Sequence, residues 1–300
     1  MRPPTESSVV RTVDRMTDDL TMRRRFFAEE VQMVGNLRTS ALVEALATVP
    51  RERFLRPGPW VIRGEGDFGG PPRQTPDADP RNVYHNISIA IDPARQLFNG
   101  SPSVVGPCID ALALEPGDVV LHVGAGLGYY SALMAHCVGQ TGRVVAIEID
   151  EALAAEARAN LEPTSWVDTR HGDGTAIAGE SFDAILVNAG TTHPHEAWLS
   201  ALEPGGRLVV PLTFTVEQMG PIGKGVIALI TNSGGDSLGA RVVTMTAIYS
   251  AVGIRDAALN QKLQAAFMRG AWPSFTRLRR DAHEISASCW LHGDGFCLSS

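Results

Sequence analysis

The residues best placed to do chemistry are three glycines and one carboxylate. Gly124, Gly126 and Gly128 follow the apolar run Val119–Val123, and Glu148 ends the next such run, 24 residues after Gly124. Glycines let the chain turn sharply there and bring its backbone close to a ligand. A carboxylate at the tip of the following strand accepts hydrogen bonds from ribose hydroxyls. The combination suits an adenosine-bearing cofactor, and the spacing discriminates among such cofactors. A dinucleotide fingerprint, G-x-G-x-x-G, needs glycine at position 129, where this chain has Tyr129. That side chain would crowd a pyrophosphate at the helix N-terminus. S-adenosylmethionine carries no phosphate, so G-x-G-x-G favours it over NAD.

Methyl transfer from a sulfonium is an in-line displacement, and the acceptor sets the remaining chemistry. A carboxylate is already ionised at neutral pH, its ordinary pKa being about 4. It needs positioning and a dry pocket, and Asn99, Ser101 and Asn188 are donors that could orient it. An alcohol or amine would need a general base. His85, His193 and His195 are candidates, and the last two follow the end of a core strand, where open α/β sheets bind ligands. His122, inside the strand before the glycine turn, is expected to support that turn.

The elements around these residues alternate. Strands are expected near 118–123, 143–148, 166–170, 182–187 and 206–211, with helices near 128–138, 151–161 and 194–202. The strands are short apolar runs, as in sheets covered on both faces. Asp150 is placed to cap the second helix. Strands near 225–230 and 241–248 pair as a late hairpin around Asn232–Asp236. The pattern predicts an α/β fold with a doubly wound, mostly parallel, seven-stranded Rossmann-like sheet. Residues 1–56 are expected to be mainly helical, and 57–80, rich in Gly, Pro, Asp and Arg, a loop or lid. Asn86–Ile91 alternates like a short strand, and a helix follows with Pro102 at its first position. The division is thus 1–80 (helical region and lid), 81–254 (core) and 255–300 (tail). The tail holds a helix near 256–269 and a hairpin turning at Gly293-Asp294-Gly295.

Bulk properties exclude several classes. Three hundred residues, 44% of them hydrophobic, suffice for a large core. A net charge of −7 leaves no basic footprint for nucleic acid. No run is apolar enough to span a membrane and the first residues carry no apolar signal segment, so the cytoplasm is the expected compartment. His283, Cys289, His292 and Cys297 are metal-capable types, but they contain no C-x-x-C pair and match no standard zinc spacing, so no metal is expected. The tail aromatics Phe267, Trp272, Phe275 and Trp290 would dock the tail on its own core or bury a dimer contact. The sequence does not give the oligomeric state.

Six segments, in order, resemble the protein-L-isoaspartate O-methyltransferase family: Val49-Pro-Arg-Glu-Arg-Phe54, Tyr84–Ile91, Gln96–Pro102, Leu121–Gly128 with Glu148, His171-Gly-Asp-Gly174, and Leu202–Pro211. The resemblance covers about residues 38–250 and implies a methyltransferase fold with a helical N-terminal addition and a C-terminal tail. It implies cofactor contacts at Gly124, Ala125, Gly126 and Gly128, at Glu148 and Ile149, at Asp173 and Gly174, and at Asn188. Glu148 would take the ribose hydroxyls and Asp173 the adenine amino group. The acceptor half departs from the family. The family's Q-T-I-S-x-P is here Gln96-Leu-Phe-Asn-Gly-Ser-Pro102, one residue longer, with Ser101 next to the proline. Asn86 replaces an aspartate, His122 replaces the usual acidic residue of the first strand, and Asn188–Pro194 replaces a small-residue run. The expected activity is O-methylation of a peptide or protein carboxylate. The alternatives are methylation of a small molecule or peptide natural product at O or N, and a non-catalytic cofactor-binding module.

Overall fold

A computed structural model describes residues 6–64, 70–235, 237–269 and 273–300, so Trp272, Asp236 and part of the expected lid lie outside the described residues. The chain divides into two compact units, Met1–Gly106 and Pro107–Ser300.

In the first unit, helices α1 (Glu6–Gly35) and α2 (Ser40–Thr48) precede a small antiparallel sheet. Its strands are β1 (Val61–Gly64), β2 (Arg73–Gln74), β3 (Ile87–Asp92) and β4 (Leu97–Phe98), in the order β2-β1-β3-β4. Phe27, Val31, Leu42, Leu46, Val83, Tyr84 and Ile89 are buried here. The segment read as a loop over 57–80 therefore carries two strands. Its Gly, Pro and Asp content hid them, because β1 is held by pairing with Ile87–Ile89, far along the chain. Helix α3 (Pro102–Ala111) has Pro102 at its first position, where a missing N–H does no harm.

The second unit holds β5 (Val119–Val123), α4 (Tyr129–Val138), β6 (Arg143–Glu148), α5 (Glu151–Leu161), β7 (Val167–His171), β8 (Phe182–Val187) and α6 (Glu196–Ser200). There follow β9 (Leu202–Phe214), β10 (Ile222–Thr231), β11 (Ser237–Tyr249), α7 (Ala257–Met268), β12 (Arg277–Arg279), β13 (Cys289–Gly293) and β14 (Phe296–Ser299). All its strands join one ten-stranded sheet in the order β13-β14-β12-β11-β10-β9-β8-β5-β6-β7. Strands β7-β6-β5-β8-β9 are parallel, and every pair beyond β9 is antiparallel.

The expected seven-stranded, mostly parallel sheet is thus corrected to a ten-stranded mixed one. Strands β12 to β14 are three to five residues long, too short to show a period, and take their conformation from the edge of β11. The tail packs on its own core. Phe275, Leu278, Leu291 and Leu298 belong to the same buried cluster as Trp198, Phe182 and Leu212. Each such burial contributes about 1.5–3 kcal/mol. Phe267, Trp290 and Phe275 form a chain of ring contacts that reaches Phe214.

Candidate active site

The turn after β5 is shaped by its backbone. Gly124 (φ +80°) donates to the Ile147 carbonyl at 2.9 Å, and a Cβ there would lie 3.3 Å from the Asn188 carbonyl oxygen. Gly128 (φ +96°) caps α4, and a Cβ would press to 2.8 Å from Leu161. Any other residue would be strained at both positions. Between them, Gly126 donates its N–H to Glu148 Oε2 at 2.8 Å.

Glu148 is buried, only 7% exposed, and its Oε1 accepts from the Asp150 N–H at 3.1 Å. Burial pushes its carboxyl above the usual range, and the backbone N–H bonds oppose that shift. Each oxygen keeps a lone pair for a further donor. Ile149 beside it presents an exposed apolar side chain. Asp150 caps α5 by accepting from the Ala152 and Leu153 N–H groups.

His122 ties the turn together. Its Nδ1 lies 2.7 Å from Ser131 Oγ on α4, and full burial pushes the imidazole pKa down to about 3. A neutral ring linking β5 to α4 is a support. Asn188 continues from β8, and its N–H donates to the Val123 carbonyl at 2.8 Å. Asp173 Oδ1 accepts from the N–H and hydroxyl of Thr175, both at 2.9 Å, so one of its oxygens is spent on its own turn. Gly174 has a packing role, since a Cβ there would meet Val123 at 2.4 Å.

His193 is half-buried. Its Nδ1 lies 3.0 Å from Thr192 Oγ1 and its ring stacks on Phe296 of β14 at 6.0 Å. Burial, reinforced by His195, lowers its pKa, so the ring is neutral at pH 7. His195 Nδ1 accepts from the Ala197 N–H and caps α6. Arg255, which sequence reasoning missed, latches this stretch. It donates to the carbonyls of Gly190 (2.7 Å) and Thr213 (2.8 Å) and to Asn260 Oδ1 (2.8 Å). Lone carbonyl contacts of this kind leave no local pattern in sequence.

The acceptor-segment candidates lie in the first unit. Arg51, fully buried, donates to the carbonyls of Val83 (2.7 Å), His85 (3.0 Å) and Ile87 (2.7 Å). The Tyr84 hydroxyl bonds to the Glu52 carboxylate and accepts from Arg24 Nε at 2.8 Å. The Val49–Phe54 element is therefore a brace that shapes residues 83–87. Downstream, Asn99 Oδ1 accepts from the Ile89 N–H at 2.9 Å, extending the strand pairing. Ser101 Oγ donates to Asn86 Oδ1 at 2.9 Å, which also accepts the Ser103 N–H at 3.0 Å. Asn86 and Ser101, which the sequence reading expects to differ from the family pattern, thus contact each other.

Taken together, a glycine turn and a strand-tip carboxylate on the parallel half of a mixed sheet define an α/β protein with unspent acceptor capacity beside that turn. Comparison with known proteins narrows this. The protein-L-isoaspartate(D-aspartate) O-methyltransferase family matches residues 73–224. The protein-L-isoaspartate O-methyltransferase of Methylorubrum extorquens is 39% identical over 217 residues, covering 71% of this chain and 81% of that one. A solved protein-L-isoaspartate O-methyltransferase shares the fold with a TM-score of 0.55 at 21% identity, covering 85% of this chain and 73% of its own. So does a Plasmodium falciparum structure described as a putative member in complex with S-adenosyl-L-homocysteine, with a TM-score of 0.55 at 16% identity, covering 76% and 97%. The chain belongs to the protein-L-isoaspartate O-methyltransferase family. It is an S-adenosylmethionine-dependent O-methyltransferase.

Proposed function

We propose that Glu148 and the Gly124–Gly128 turn hold S-adenosylmethionine and that the acceptor is a carboxylate of a peptide or protein. The observation that carries the cofactor reading is the Glu148 carboxylate, fixed by two backbone N–H groups with acceptor capacity left for a ribose diol. The exposed Ile149 supplies an apolar face suited to adenine, and Asp173 keeps its second oxygen for an amino donor. In this reading the parallel half of the sheet is a doubly wound, Rossmann-like frame whose order reverses between β5 and β8, where such sheets bind ligands. The bound cofactor supplies an electrophilic methyl group.

The chain's own residues then have positioning tasks. Asn86 takes the single proton of the Ser101 hydroxyl here, so Ser101 donates to an anionic acceptor by turning from Asn86, while the Asn99 side-chain N–H groups are donors for the same acceptor. A carboxylate needs no proton removed, so no base is required. A second reading, methylation of an alcohol or amine on a smaller molecule, is favoured by the neutral His193, which could accept a proton. Among the described residues no helix is long and apolar enough to cross a membrane. Incubation with labelled S-adenosylmethionine and an isoaspartyl peptide tests the carboxylate reading. Turnover supports it, and a wild-type enzyme active only on amines or alcohols would replace it.

A further inference from the structure

Four side chains of the C-terminal segment are unused by the site above. His283, Cys289, His292 and Cys297 each offer one ligand atom, and these atoms all lie within 4.8 Å of one another. The fold explains the convergence. His292 and Cys297 are directly paired across the β13–β14 hairpin, so their side chains leave one face of the sheet. In a regular strand Cys289 and His292 would point to opposite faces. The register shifts between Cys289 and Leu291, and that irregularity turns Cys289 to the face of His292. His283 arrives from the run before β13.

The polar contacts around the cluster match its geometry. His283 Nδ1 lies 2.9 Å from the Asp281 carbonyl, and its Nε2 lies 3.7 Å from Cys289 Sγ. Metal-ligating histidines divide their two nitrogens in this way, one toward a backbone or carboxylate partner and one toward the ion. Cys289 Sγ accepts the Ser286 N–H at 3.4 Å. The rings of His283 and His292 are perpendicular, with centroids 4.9 Å apart. His292 Nδ1 is buried with no hydrogen-bond partner among the described residues. A buried ring nitrogen without a partner is unfavourable unless something binds there.

We propose that His283, Cys289, His292 and Cys297 form a structural zinc site. Two sulfurs and two imidazole nitrogens make the borderline-soft, four-ligand set that tetrahedral Zn²⁺ takes, and four protein ligands leave no open position for catalysis. Binding takes the two thiols as thiolates and releases their protons. The ion would close the β13–β14 hairpin, whose Phe296, next to ligand Cys297, stacks on His193. The site therefore braces one wall beside a candidate catalytic residue, independently of what the enzyme methylates.

The test is the metal content of the full-length protein, expressed with zinc supplied and purified under reducing conditions. About one zinc per chain is expected, with less than about a tenth of that in Cys289→Ser and Cys297→Ser and no loss in Cys137→Ala. Replacement by cobalt in the wild-type protein should give tetrahedral ligand-field bands and a thiolate charge-transfer band, a readout that does not depend on the variants folding. A metal-free wild-type chain without that cobalt spectrum would overturn the proposal. So would a Cys289–Cys297 disulfide persisting under reduction, or zinc retained when Cys289 and Cys297 are both replaced.

Discussion

The two units solve the positioning of polar groups in different ways. Around Glu148 the parts are close in sequence: a strand, a turn, a helix and a strand tip, joined by backbone N–H groups. Around Ser101 they are far apart. Arg51 holds the chain 32 to 36 residues away, and Asn86 meets Ser101 15 residues on. A site made of backbone geometry constrains few side chains, so its signature persists as glycine spacing. A site made of side chains reaching distant carbonyls leaves no such local signature.

The largest effect should come from the brace. Arg51→Met leaves three carbonyls without their donor, and denaturant unfolding should show a loss of about 3–5 kcal/mol. A loss below about 1 kcal/mol would mean that water or another side chain replaces the guanidinium. Next is the cofactor turn. Glu148→Ala should weaken S-adenosylhomocysteine binding by about ten- to a hundredfold in calorimetry, equivalent to about 1.4–2.8 kcal/mol. Unchanged affinity would remove the ribose role.

The acidic branch of stability should report His122. Its folded pKa, about 3, lies below the ordinary 6.5, so the unfolded chain binds more protons between those values. Stability is therefore full above 6.5 and falls as pH drops, by about 2 kcal/mol at about pH 5. His122→Gln should flatten that slope, and an unaltered slope would assign the loss to other groups. Smaller still, Ser101→Ala should lower turnover by about tenfold with cofactor affinity unchanged. His193→Ala should change turnover of a carboxylate substrate by less than about threefold, whereas near-complete loss would favour an acceptor that needs a base.

What was legible in the sequence follows the same division. The glycine turn, the Asp150 cap, the late hairpin and the turn at Gly293-Asp294-Gly295 are local features, and each forms where its residues predict. The pairing of β12 to β14, the Arg255 latch and the Arg51 brace depend on partners remote in the chain. The Cys and His cluster belongs with these. Its four ligands come together through a hairpin and a register shift, so linear spacing carried no recognisable signature. The expected cofactor contacts also divide. Gly174 is explained by packing against Val123, whereas Glu148 has bonding capacity left over.

The most direct measurement is the chemical lability of the transferred methyl group. The wild-type enzyme is given labelled S-adenosylmethionine with isoaspartyl and other carboxylate-bearing peptides, and the product is treated with mild base. A carboxyl methyl ester releases its label as volatile methanol, and that is the predicted result. A label that stays on the peptide through base treatment would place the methyl on nitrogen or on an alcohol oxygen and contradict the carboxylate assignment.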